Sequence, residues 1–138
     1  VSYPNVPLFD GGNLADWQRR VAQAINYLLN KLEYVVETVE GVPTSGQVAL
    51  DTQFPTARTI SQSDCSIFAA STPTADASFD ITLAGSTIGT ATILAGQTEG
   101  TFAFSSTAVS ADARFQCTCP TPADATLADI FMTIALSE

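Results

Sequence analysis

Residues 14–39 read LADWQRRVAQAINYLLNKLEYVVETV, and the architecture of the chain turns on how far this stretch stays helical. Leu14, Val21, Ile25, Leu28, Leu32 and Val35 step by seven, four, three, four and three, with Gln18 at the position missing between the first two. That spacing is a heptad seam of a and d positions with one polar layer. Trp17 lies beside the seam, and Ala24, Tyr27 and Leu29 broaden it. Asn13 is a good N-cap, Asp16 suits the positive end of a helix dipole, and Arg19 and Arg20 follow within reach of Asp16 on the same face. Alanine, leucine, glutamine and arginine favour helix, whereas Gly41 and Pro43 stop it. The pattern predicts a helix over about 14–39, roughly 40 Å long at the α-helical rise. Its seam is expected to form a coiled-coil bundle between identical chains. Packing on the chain's own domain is the alternative, and the heptads alone do not choose two strands over three.

N-terminal to this stretch, residues 1–12 read VSYPNVPLFDGG. Pro4 and Pro7 hold the backbone extended, and Gly11 and Gly12 make a joint before the helix. Tyr3, Val6, Leu8 and Phe9 are large apolar side chains on a segment too short to form a core. They are expected to anchor the chain to another surface or partner, with a disordered terminus as the alternative. The opening residues show no signal-peptide pattern.

C-terminal to it the grammar changes from period 3.6 to period two. Phe79, Ile81 and Leu83 share one face of a strand pattern, as do Phe102 and Phe104, then Phe115, Cys117 and Cys119, then Ile130, Met132, Ile134 and Leu136. TARTIS and CSIFAA add two more strand candidates, and Gly85-Ser86, Gly96-Gln97, Gly100 and Pro120-Thr121-Pro122 fall between strands as turns. Six to eight short strands predict an antiparallel sandwich. The expected layout is α+β: an extended anchoring peptide (1–12), an oligomerisation helix (13–40) and a jelly-roll-like antiparallel β-sandwich (46–138). The strand-zone phenylalanines at 54, 68, 79, 102, 104, 115 and 131 read as core.

Composition narrows the function classes. The 138 residues carry five Lys+Arg against fourteen Asp+Glu, a net charge of −9 that repels nucleic-acid phosphate and anionic lipid. No run approaches the roughly 18 apolar residues that cross a bilayer. Neither nucleic acid nor membrane is expected as a partner. The absence of histidine removes histidine bases, Ser-His-Asp systems and histidine metal sites. The close acidic pairs Asp76 with Asp80 and Asp124 with Asp129 read as solvated turn acids. Cys65, Cys117 and Cys119 read as buried thiols, with a bridge from Cys65 to one of the other two as the alternative. No catalytic residue, cofactor or metal is expected.

In the order of its parts the chain resembles small virion structural proteins of tailed bacteriophages. The resemblance rests on YPNVPLFDGGNLADWQRRVAQAINYLLNKLE, on FDITLAGSTIGTATILAGQTEGTFAF and on the closing PADATLADIFMTIAL. It implies a homotrimer in the virion, bound to capsid or tail proteins as a head decoration, fibre or tail appendage, with the sandwich facing solvent. A carbohydrate- or cell-surface-binding sandwich, with a host-surface glycan as partner, is the alternative. The lack of Trp and Tyr after residue 34 counts against stacking on sugar rings.

Overall fold

A computed structural model describes residues 14–29 and 32–138. Helix α1 spans Leu14–Leu29, 16 residues, with Asp16 paired to Arg19 one turn on. It does not continue to residue 39. Glu33–Val39 is strand β1, hydrogen-bonded antiparallel along its whole length to β10 (Ala128–Ser137), from Glu33 opposite Leu136 to Val39 opposite Ile130. The long heptad helix is therefore corrected to a short one, too short to carry the six-position seam of a coiled coil, and the helix-plus-sandwich layout gives way to a mostly antiparallel β structure. Composition explains the switch. Tyr34, Val35, Val36, Thr38 and Val39 are aromatic or β-branched, restricted at χ1 in helices and at home on a pleated surface. With β10 available as a partner, this segment gains a full ladder and buries Val39 in the core.

The remaining strands are β2 (Val48–Thr52), β3 (Arg58–Ile60), β4 (Ser66–Ser71), β5 (Ala77–Leu83), β6 (Ser86–Ile93), β7 (Gly100–Phe104), β8 (Ala108–Val109) and β9 (Phe115–Thr118). They form two five-stranded antiparallel sheets. In the first, β1, β10, β3 and β8 lie side by side, and β4 pairs with the first half of β10 ahead of β3. The second has the order β2-β9-β5-β6-β7. The sheets pack face to face. Val39, Ile60, Ile67, Val109, Ile130, Met132, Ile134 and Leu136 of the first meet Leu50, Phe79, Ile81, Ile93, Phe102, Phe115 and Cys117 of the second in one continuous core.

Two local features fix this arrangement. The β5–β6 hairpin turns on Ala84 and Gly85, both at positive φ (50° and 84°), the two-residue turn whose twist matches that of the flanking strands. Gly100 stands where a Cβ would lie 2.5 Å from the Thr92 carbonyl oxygen and 2.8 Å from the Ile67 side chain, so β7 passes β6 and β4 only without a side chain there. Beside it the Ala69 N–H donates to the Thr98 carbonyl at 2.8 Å, tying the two sheets together along one side.

The strand directions give the molecule two poles. Helix α1 leads into β1 at the end where Glu33 faces Leu136, together with Arg58 and the 84–85 turn. The connections around residues 40–47, 72–76, 94–99 and 119–127 lie at the other end, beyond Val39 and Ile130.

Candidate functional site

Of the expected interface residues, Leu14, Val21 and Ile25 lie on α1, and Leu14 and Ile25 are 50% and 46% exposed while Val21 is half-buried. Trp17 is half-buried and Ala24 buried on the same side of the helix. Leu28 belongs to α1, but its side chain lies outside the described residues, as do the expected anchoring residues Tyr3, Val6, Leu8 and Phe9 and the N-cap Asn13. Leu32 and Val35 do not extend the helical stripe. Leu32 precedes β1, and Val35, opposite Ile134, packs against the sandwich core. The six-residue seam is thus divided between two elements with different partners.

A second apolar surface was hidden in the strand pattern. Alternation turns Val35 and Val39 of β1 and Ile130, Met132 and Ile134 of β10 inward, and so turns Tyr34, Val36 and Phe131 outward. Tyr34 is 56%, Val36 64%, Phe131 37% and Phe68 46% exposed. Phe131 sits opposite Phe68 in the β10–β4 ladder, and their rings stack with centroids 4.9 Å apart. Two of the seven strand-zone phenylalanines therefore leave the core for the outer face of the first sheet. The signal was present: Ile130, Met132 and Ile134 cannot share a face with Phe131. Composition concealed it, because phenylalanine reads as core wherever it occurs.

At the helix pole, Arg58 is nearly buried and reaches Glu138 at 2.7 Å and Glu33 at 3.2 Å. Its guanidinium lies 6.0 Å from the centre of the Phe54 ring, and its Nε has no hydrogen-bond partner among the described residues. The cluster links the start of β1, β3 and the last residue of the chain.

At the loop pole a cleft of about 440 Å³ is lined by residues 74–78 and 120–125. Its carboxylates are engaged with backbone. Asp124 accepts from the Thr74 N–H and hydroxyl (2.8 and 2.9 Å), the Ala75 N–H (3.2 Å), and the Thr126 N–H and hydroxyl (2.9 and 2.5 Å). These donors, the Thr126 hydroxyl foremost, hold its carboxyl well below the usual carboxylate range. Asp76 accepts from the Ala95 N–H at 2.9 Å, and Asp129, at positive φ, accepts from the Gly41 N–H at 2.7 Å. Asp80 is exposed on β5. Each acidic pair read from the sequence thus contains at least one turn-fixing carboxylate, and none of them accepts a hydrogen bond from the other member among the described residues.

The three cysteines are free. Cys117 and Cys119 are buried on one side of β9 and its extension, and Cys65 is half-buried, its thiol donating to the Ser61 carbonyl at 3.3 Å. Burial pushes the Cys117 thiol up from 9.0 to about 12, reinforced by Cys119 and Asp80, so it stays protonated and acts as a small apolar side chain. Compared with known proteins, the chain matches no family model, no curated protein and no solved structure.

Proposed function

We propose that the protein is a non-enzymatic structural component of a tailed-phage virion, a homotrimer that attaches through its N-terminal zone and presents its β domain to solvent. The observation that carries this reading is the polarity of the molecule. An amphipathic helix with half-exposed Leu14 and Ile25 enters at one pole, and the four connections braced by Asp124, Asp76 and Asp129 lie at the other. Such a body sets its loop pole at the opposite end of the β domain from the start of β1. The anchoring residues would be Tyr3, Val6, Leu8 and Phe9. The turn-fixing role of the acidic groups fits a scaffold better than general acid–base chemistry, since Asp124 holds no proton near neutral pH.

The test is incorporation into particles. Deleting residues 1–10 is expected to abolish recovery of the protein with purified virions while leaving its melting transition intact. Imaging of particles is expected to place the N-terminus inward. Full incorporation of the truncated chain would overturn the anchoring reading, and absence of the full chain from particles would overturn the virion reading.

The cleft at the loop pole supports the second reading, a glycan-binding module, because Thr74, Asp76, Ser78, Thr121 and Asp124 give it a polar lining. The cleft has no aromatic platform, so its sugar would be held by hydrogen bonds alone. Glycan-array binding that is lost in Ser78→Trp, which fills the cleft, would favour this reading.

A further inference from the structure

An edge strand presents a row of unpaired N–H and C=O groups, a template for another strand, which folded proteins normally blunt. In this sandwich β1 and β8 end one sheet, β2 and β7 the other. Three of the four are blunted. β8 is two residues long. β2 has an irregular register between Val48 and Leu50 and carries the exposed Asp51–Arg114 pair. β7 is held against the other sheet, where Glu99 just ahead of it bridges to Phe68, and the Phe104 N–H donates to the Gln62 side chain at 3.1 Å. β1 is the exception. It has seven residues, no proline, lysine or arginine, and an unbroken register with β10 on one side.

The hydrogen bonds of β10 reveal which groups of β1 are free. The Ala135 carbonyl accepts from the Ser61 N–H at 2.8 Å, and the Ala135 N–H donates to the Cys65 sulfur at 3.4 Å, so both backbone groups of Ala135 point away from β1. Tyr34 stands opposite Ala135 and is therefore not hydrogen-bonded to β10. Antiparallel ladders alternate bonded and non-bonded pairs. Glu33, Val35, Glu37 and Val39 thus bond to β10, while Tyr34, Val36 and Thr38 turn their N–H and C=O groups to the open edge. No backbone bond among the described residues takes up these groups. The side chains of Tyr34, Val36 and Thr38 are exposed as well, on the outer face of the sheet.

We infer that β1 pairs antiparallel with β1 of a second copy, about a twofold axis at Val36. This register sets Val36 against Val36 and Tyr34 against Thr38, so every free N–H and C=O of these three residues bonds across the axis. On the inner side it sets Glu37 against Val35 and Glu33 against Val39, so no carboxylate stands directly opposite another. The two neighbouring registers that keep inner and outer faces continuous fail on both counts. Centred on Val35, Glu33 opposes Glu37 and Thr38 has no partner within β1. Centred on Glu37, that residue opposes itself and Tyr34 has none. The contact is isologous, and it joins the first sheets of two copies into one. Because the strands run antiparallel, the helix poles of the pair point in opposite directions. The inference goes beyond the attachment reading above and does not rest on it. Combined with a homotrimer, it joins two trimers into a hexamer with N-terminal zones at both ends.

Val36→Pro separates this contact from the fold. It removes an N–H that β10 does not use, at an edge position where a strand tolerates proline. Sedimentation of the full chain at micromolar concentration is expected to show an even number of copies, halved in Val36→Pro and kept in Val36→Thr, which retains the N–H. A hexamer falling to a trimer leaves the homotrimer reading standing, whereas a dimer falling to a monomer keeps this contact and overturns that reading. Thermal melts check folding. If Val36→Pro lacks a cooperative transition, hydrogen exchange of the wild type decides: the Tyr34, Val36 and Thr38 amides are expected to be protected as strongly as those of Val35 and Glu37. A monomeric or odd-numbered wild type, a folded Val36→Pro of unchanged mass, equal loss in Val36→Thr, or fast exchange at those three amides would overturn the contact.

Discussion

The β domain and helix α1 use apolar residues in opposite ways. In the domain, Phe79, Ile81, Ile93, Phe115, Ile134 and Leu136 are fully buried by partners from the same chain. On α1, Leu14 and Ile25 remain about half open to solvent. Both regions follow a regular apolar pattern, so pattern alone does not reveal which surfaces a chain covers by itself. A sheet face is covered when a second sheet of matching curvature folds over it. A 16-residue helix is marginal in isolation and depends on packing, which buries Ala24 but leaves Leu14 and Ile25 half open.

The contrast is broken most strongly from the core side. Phe79→Ala removes a fully buried ring between the sheets and is expected to cost about 3–5 kcal/mol in denaturant unfolding. Leu14→Ala, measured under dilute conditions, is expected to stay within about 0.5 kcal/mol of wild type. Comparable costs would mean that the helix belongs to the folding unit of the β domain.

The buried thiol gives a pH-dependent version of the same test. Cys117 keeps its proton up to about 12 in the folded protein, whereas the unfolded chain releases it near 9.0. Above pH 9 the unfolded state therefore gains by ionising, and stability falls as pH rises, by at most about 1.4 kcal/mol per pH unit. Cys117→Ala lacks this contribution, so the stability difference between wild type and variant is expected to shift in favour of the variant from pH 9 upward. A difference independent of pH would place the thiol in contact with water.

Arg58 ties together the helix pole of the β domain, through Glu33 at the head of β1 and Glu138 beyond β10. Both glutamates are well exposed, so solvent weakens the pairing, and Arg58→Ala is expected to cost about 1–2 kcal/mol in thermal unfolding. Arg58→Met, which keeps an unbranched apolar stem, is expected to recover part of the loss. A further effect is expected at the far pole. Asp124 is held ionised by five donors, so its contribution is complete above the ordinary carboxylate range and fades as pH falls toward its lowered folded value. Asp124→Asn is expected to lower the melting temperature at neutral pH and to flatten the acid side of the stability profile. An unchanged profile would mean that other groups set the acid limit.

Much of the β domain is legible in the sequence because strand alternation is a local property. Ile81, Cys117, Met132 and Ile134 face inward as their spacing requires, and the turn before Ser86 carries its glycine. The outward Phe68–Phe131 pair was equally derivable from spacing, and only the habit of counting phenylalanine as core hid it. The candidate surfaces were half legible: the helix stripe stood in the heptads, but the sheet face needed the ladder that sets Phe68 beside Phe131.

By itself the sequence determined an amphipathic helix beginning near Leu14, the inward faces of the central strands, an acidic exterior and the absence of histidine chemistry. The tertiary structure decided where that helix ends. Over residues 32–39 a three–four spacing and a period-two alternation both fit, since Leu32, Val35 and Val39 suit one and Val35, Glu37 and Val39 the other. Helix and strand preferences differ there by only a few tenths of a kcal/mol per residue. Seven residues paired with β10, and Val35 and Val39 packed into the core, outweigh that difference. The partner that decides the matter lies some ninety residues away in the chain, beyond the reach of any local reading.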